Sequence, residues 1–145
     1  MFDMKKLLLL VTLMFCPIYL AAHCQLPCGI YHDDLRFASL EEDIQTLNKA
    51  VAEIQKNSSS SAEERNQLVR SVNLKDQYAD KIAHTMTFYF IQQRLKPDQK
   101  NLTSLLNSAF NILQLTAKVK ASVDSDLVSS LSREIANFKT LFNQT

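Results

Sequence analysis

Apolar residues recur along most of this chain at alternating intervals of three and four. Leu40, Ile44, Leu47, Val51 and Ile54 set the pattern. That spacing gathers all five on one stripe of an α-helix and scatters them over both faces of a strand. Little interrupts such stripes, because the 145 residues include one glycine and three prolines. A turn-rich β fold is excluded on that ground, and an all-α fold is expected. Apolar residues make up 46% of the chain, enough for a packed core in one domain.

The first helix is expected at about 34–56, with Asp33 and Asp34 near its start, where acidic side chains suit the helix dipole. Asn57-Ser58-Ser59-Ser60 is a break. Ser61-Ala62-Glu63-Glu64 then reads as a capping box, in which the serine hydroxyl and the glutamate each satisfy one orphan amide. A second helix follows at about 62–94, with Leu68, Val72, Lys75, Ala79, Ile82, Met86 and Phe90 as its seam. Lys75 interrupts that register. Its side chain is expected to snorkel out of the core, or else to point at a functional site near the bundle end. Pro97 ends the helix. The third helix, about 98–119, carries Leu102, Leu105, Leu106, Ala109, Phe110 and Leu113 as one broad stripe. The fourth, about 125–143, uses Leu127, Leu131, Ile135, Phe138 and Phe142. Short connections favour antiparallel neighbours, so the expected architecture is an up-down-up-down four-helix bundle over 32–145.

Residues 1–22 follow an export pattern. Lys5 and Lys6 precede an apolar run from Leu7 to Cys16, and Leu20-Ala21-Ala22 offers a small residue before a cut. The expected product is exported, periplasmic or secreted, and begins at His23 after a processing peptidase removes the leader. No membrane span is expected after cleavage. Residues 1–22 hold two of the 16 basic and one of the 15 acidic residues, so 14 of each remain. With no net charge and no basic stripe, a nucleic-acid partner is not expected.

Between leader and helices lies His23-Cys24-Gln25-Leu26-Pro27-Cys28-Gly29-Ile30-Tyr31, an N-terminal hook of 23–31. It contains both cysteines left after cleavage and the single glycine. The pair Cys24 and Cys28 could close a disulfide. It could hold zinc, given a fourth ligand such as His32. It could also chelate a metal that accepts planar coordination. The His23 amine and the Cys24 amide form one five-membered ring, the Cys24 thiolate closes a second, and Cys28 completes an N₂S₂ set. The His23 imidazole is then available along the axis. Square-planar nitrogen and sulfur donors suit Ni(II) or Cu(II). Tyr31 is near enough in sequence to fold over the open metal face. His32 and His84 show no metal-ligand spacing and read as surface or packing residues.

His-Cys-x-Leu-Pro-Cys-Gly-Ile-Tyr after a removable leader resembles the hook of the nickel superoxide dismutases. Val69-Arg70-Ser71-Val72, Lys75-Asp76-Gln77 and the stretch from Tyr89-Phe90 to Lys96-Pro97 extend the resemblance into the second helix. The resemblance implies a helical bundle assembled as a homo-hexamer, one nickel ion per chain, and superoxide as substrate. It implies conversion to oxygen and hydrogen peroxide by Ni(II)/Ni(III) cycling. His23 would give its amine and axial imidazole, Cys24 its amide nitrogen and thiolate, and Cys28 its thiolate. Tyr31 would gate substrate beside the nickel, and Pro27 would occupy the tight turn. Gln25 departs from the aspartate of other members. The glutamate that supports the imidazole falls on Ser39 or Ala38, with Glu41 and Glu42 a turn away, and the arginine of that network falls near Tyr78. The alternatives from other classes are a secreted helical binding protein with a Cys24–Cys28 disulfide, and a nickel or copper carrier without turnover.

Overall fold

The computed structural model describes residues 32–144. They form a helical bundle: α1 (Asp33–Lys56), α2 (Ala62–His84), α3 (Leu102–Ala121) and α4 (Ser125–Phe142), with no strand among the described residues. Beyond His84 the second rod continues as a π-helical segment, Thr85–Arg94. Its widened turn ends with the Leu95 amide on the Phe90 carbonyl five residues back, at 3.0 Å. Near its start the Thr87 hydroxyl donates to the Ala83 carbonyl at 2.8 Å, a back-bond of the kind that bends helices. No described helix is long and apolar enough to cross a membrane.

Neighbouring helices are tied in opposite order along their lengths, and so run antiparallel. Asp33 meets Tyr89 and Asp43 meets Lys81 between α1 and the second rod. Glu41 meets Lys139 and Gln55 meets Val123 between α1 and α4. Asn101 meets Leu141 and Ser108 meets Glu134 between α3 and α4. The start of α1 therefore lies at the same end as the π segment and the end of α4.

That end is filled by aromatic rings. Phe37, Phe90, Phe138 and Phe142 lie mutually in contact, with Phe37 and Phe90 centroids 4.7 Å apart and Phe90 and Phe138 at 5.2 Å. Edge and tilted pairings of this sort add to the burial of large rings. Leu40, Leu47, Ile82, Leu105, Ile112 and Leu131 carry the core away from it.

The third helix differs from its expected form twice. It begins at Leu102 rather than near 98, because residues 96–101 close a turn of their own. The Gln99 side chain accepts from the Lys96 amide at 2.8 Å and the Gln99 amide reaches back to the Lys96 carbonyl at 3.1 Å. Its stripe is also narrower than expected: Leu105, Ala109 and Ile112 are buried, while Leu106 and Phe110 face outward at 41% and 59% exposure. Ser108 and Thr116 take buried positions on that helix instead, bonded to Glu134 and to the Leu113 carbonyl.

Lys75 is also placed differently. It does not snorkel out: the residue is 2% exposed. Its ammonium donates to the carbonyls of Val119 and Lys120 at 2.9 and 2.7 Å and to Asp76 at 2.8 Å. Those carbonyls belong to the last turn of α3, where intrahelical amides run out; only Val119 receives a further amide, a long bond of 3.4 Å from Ser122. A buried cation is tolerable there because three acceptors replace its water and the helix dipole is negative at that end.

Candidate metal centre

The four residues expected to make the centre, His23, Cys24, Cys28 and Tyr31, lie outside the described residues, as do Gln25, Pro27 and Gly29. What the structure places is the chain that follows that stretch, from His32 onward. His32 opens α1 with extended backbone and no capping bond from its side chain. The first turn of α1 is held instead from across the bundle.

Asp33 is the tether. Its Oδ1 accepts from the Tyr89 hydroxyl at 2.6 Å and from Arg94 Nε at 2.7 Å, and its Oδ2 accepts from Arg94 Nη2. The arginine thus grips the carboxylate with two parallel donors, the strongest arrangement this pair has. Tyr89 and Arg94 are five residues apart. In an α-helix that interval turns them well away from each other, whereas in a π turn residues five apart stack along the rod. The π segment is what lets both reach one carboxylate. Arg36 completes the cluster, its guanidinium carbon 5.5 Å from the centre of the Tyr89 ring.

The electrostatics follow from these contacts. Burial pushes the Asp33 carboxyl up, but hydrogen bonds from Arg94 and Tyr89 and the arginine charge outweigh it and hold the group below its ordinary 3.8. The Tyr89 hydroxyl is pushed up to about 12, first by burial and then by its bond to the Asp33 carboxylate. At neutral pH the cluster is therefore a charged carboxylate, a charged guanidinium and a neutral phenol. A cleft of about 440 Å³ opens beside it, lined by Asp33, Arg94, Lys96, Asp98, Gln99 and Phe142.

Ser39 is half-buried on α1 while Ala38 and Glu42 are exposed. Glu41 pairs with Lys139 at 3.0 Å on the α4 side. Tyr78 lies under the Lys81 ammonium, 5.2 Å from its ring centre. A buried acid does exist further along α1: Asp43, 1% exposed, accepts from Lys81 at 2.6 Å while its second oxygen is buried without a partner. Burial raises its pKa and Lys81 only partly offsets this. Spacing gave no sign of Asp43 and Lys81 as a pair, nor of Asp33 with Tyr89 and Arg94.

Among the described residues no group of three or more His, Cys, Asp or Glu side chains could hold a metal. All three cysteines of the chain, Cys16, Cys24 and Cys28, precede residue 32. The donors that suit a planar metal, two thiols with an amine and an imidazole, are concentrated at His23, Cys24 and Cys28, and in chemical type they fit nickel.

Comparison with known proteins bears on the family and not on the individual ligands. Neither a curated protein nor a solved structure matches the chain. The family model described as nickel-containing superoxide dismutase matches residues 19–145, a span that includes both the hook and all of the helices. The chain belongs to the nickel-containing superoxide dismutase family.

Proposed function

We propose that the hook 23–31 is the metal centre of this enzyme and the helices 32–145 are its carrier. The activity itself is that of the family: nickel-dependent dismutation of superoxide to oxygen and hydrogen peroxide. One superoxide gives up an electron; a second takes one up together with two protons. When bound, nickel would supply the one-electron store for both halves through its Ni(II)/Ni(III) couple.

The chain's own residues have separate tasks in this reading. The His23 amine and imidazole, the Cys24 amide and thiolate and the Cys28 thiolate hold the ion. Thiolate donation favours the oxidised state and brings a one-electron cycle within reach of superoxide. Tyr31 stands next to the ligands in sequence and orients or gates the small substrate. The observation that carries the reading is the match over 19–145 together with the clustering of every post-leader thiol in six residues that start with histidine.

In the same reading residues 1–22 are a leader removed by a peptidase, since the His23 amine exists only after the cut. The product is exported, periplasmic or secreted. The helices form an up-down-up-down bundle with the hook at its N-terminal end, and the chains assemble as homo-hexamers.

The test is direct. Cys28→Ser abolishes nickel uptake and activity in this account. One extra residue ahead of His23 does the same by converting the amine to an amide. A nickel-replete, active Cys28→Ser enzyme would overturn the ligand set.

A further inference from the structure

We infer that Asp33, gripped by Arg94 and Tyr89, is a positioning clamp that fixes how the nickel-binding stretch leaves the helical body. The inference rests on the hook reading above and goes further, because it assigns a task to three residues that bind no metal.

Three observations lead to it. The starts of α2 and α4 are capped by the side chains of Ser61 and Asp124, whereas His32 at the start of α1, like Asn101 at the start of α3, makes no side-chain cap. Such a helix end frays unless something else holds it. The second observation is what does hold it. Asp33 is the first helical residue and takes hydrogen bonds from two side chains 56 and 61 residues away. The third is the cost in regular structure. The second rod departs from α-helical geometry over Thr85–Arg94, where Tyr89 and Arg94 lie. Widened helical turns of this kind concentrate at functional sites.

The chain's reach makes the clamp relevant to the metal. Tyr31 is two residues from Asp33, within ~7 Å along the chain, and Cys28 is five away, within ~18 Å. A hook hinged on a frayed turn would sample many orientations against the bundle. A hook hinged on a clamped turn starts from one. Side chains that act by orienting ligands change metal affinity and spectra without contributing a donor.

The experiment uses the chain starting at His23, as wild type and as Asp33→Asn, Arg94→Gln, Arg94→Lys, Tyr89→Phe and Lys120→Gln. The last breaks the Lys120–Asp80 pair at the far end of the bundle. Four readouts are taken: nickel titration of the apo-protein, electron paramagnetic resonance of the oxidised nickel form, hydrogen exchange at the amides of 33–37, and thermal unfolding. Asp33→Asn and Arg94→Gln are expected to weaken nickel binding by about ten-fold, broaden the resonance and speed exchange at 33–37. Arg94→Lys recovers part of each loss, and Lys120→Gln matches wild type. Tyr89→Phe deletes the hydrogen bond to Asp33 and keeps the ring, so it gives a smaller effect in the same direction and carries the test if the charge variants do not fold.

Wild-type nickel affinity and spectrum in Asp33→Asn and Arg94→Gln would overturn the clamp while leaving the ligand assignment intact. So would an equal loss in Lys120→Gln, which would mean general destabilisation. A wild-type chain that takes up no nickel would remove the hook reading, and the clamp's role with it.

Discussion

Two helix starts in this protein are secured in opposite ways. At the start of α2 everything is local. The Glu64 amide donates to the Ser61 hydroxyl at 3.1 Å, and the Glu64 carboxylate accepts from the Ser60 and Ser61 amides at 2.7 and 3.2 Å. These bonds hold Glu64 down to about 2; the Ser60 and Ser58 hydroxyls contribute most. At the start of α1 the His32 side chain makes no cap. The turn is held by Asp33 and the side chains of Tyr89 and Arg94 on another helix. A local cap forms as soon as its helix does, whereas a distant one exists only in the folded bundle. The proposed hook, 23–31, directly precedes the second kind in sequence.

Raising the pH separates the two starts most. The Tyr89 phenol sits above its ordinary value of 10, so its contribution is complete below about pH 10 and is lost as pH rises through about 12. Between those limits the wild type should lose about 1–2 kcal/mol more stability than Tyr89→Phe, the partial solvent exposure of the hydroxyl screening the rest. Thermal unfolding of both across this range measures the difference, and parallel curves would remove the phenol from the clamp. Acid weakens both starts. Glu64 contributes fully above 4.5 and loses this as pH falls toward 2, and Asp33 contributes above 3.8 and loses it as pH falls further.

Breaking the tether by substitution comes next. Arg94→Gln should cost about 1–2 kcal/mol, more than an ordinary surface pair because the grip is two-pronged and backed by the Tyr89 hydroxyl. Hydrogen exchange should quicken at the start of α1 and stay unchanged at the start of α2. Ser61→Ala reverses that pattern at a cost of about 1 kcal/mol, and the exchange map is again the check.

The smallest effect sharpens the comparison within α1. Asp43 is also paired with a cation, but the buried carboxylate is pushed up where that of Asp33 is held down. A raised acid stabilises the fold only below its ordinary 3.8 and loses that contribution as pH rises. Asp43→Asn should therefore change stability at neutral pH by less than about 1 kcal/mol, measurable in urea unfolding. A loss equal to that of Arg94→Gln would show the two pairs to be equivalent.

The same contrast explains which parts of the molecule could be read in its sequence. Ser61 with Glu64 three residues on is a pattern of adjacent letters, and its structure follows from it. The core stripe of α1 is equally plain, since Leu40, Ile44, Leu47 and Val51 all lie buried. The hook is legible as chemistry because its candidate donors, His23, Cys24 and Cys28, fall within six residues. What hides is whatever depends on two helices meeting. Leu106 and Phe110 fit a helical stripe as well as Leu105 and Ala109 do, and only packing decides which pair turns inward. Lys75 breaks an apolar register, and nothing near it in sequence shows that the carbonyls of Val119 and Lys120 await it. Tyr89 and Arg94 are five apart, an interval that regular helical periodicity assigns to different faces. The π segment that reunites them has no signature of its own in the letters.

The central claim is that this chain carries nickel on a hook that begins with His23. Intact mass and metal analysis of the mature protein from its own host test it most directly. The account predicts a chain that starts at His23 with stoichiometric nickel and both cysteines free of a mutual disulfide. A metal-free chain with Cys24 and Cys28 joined, or one starting elsewhere, would contradict it.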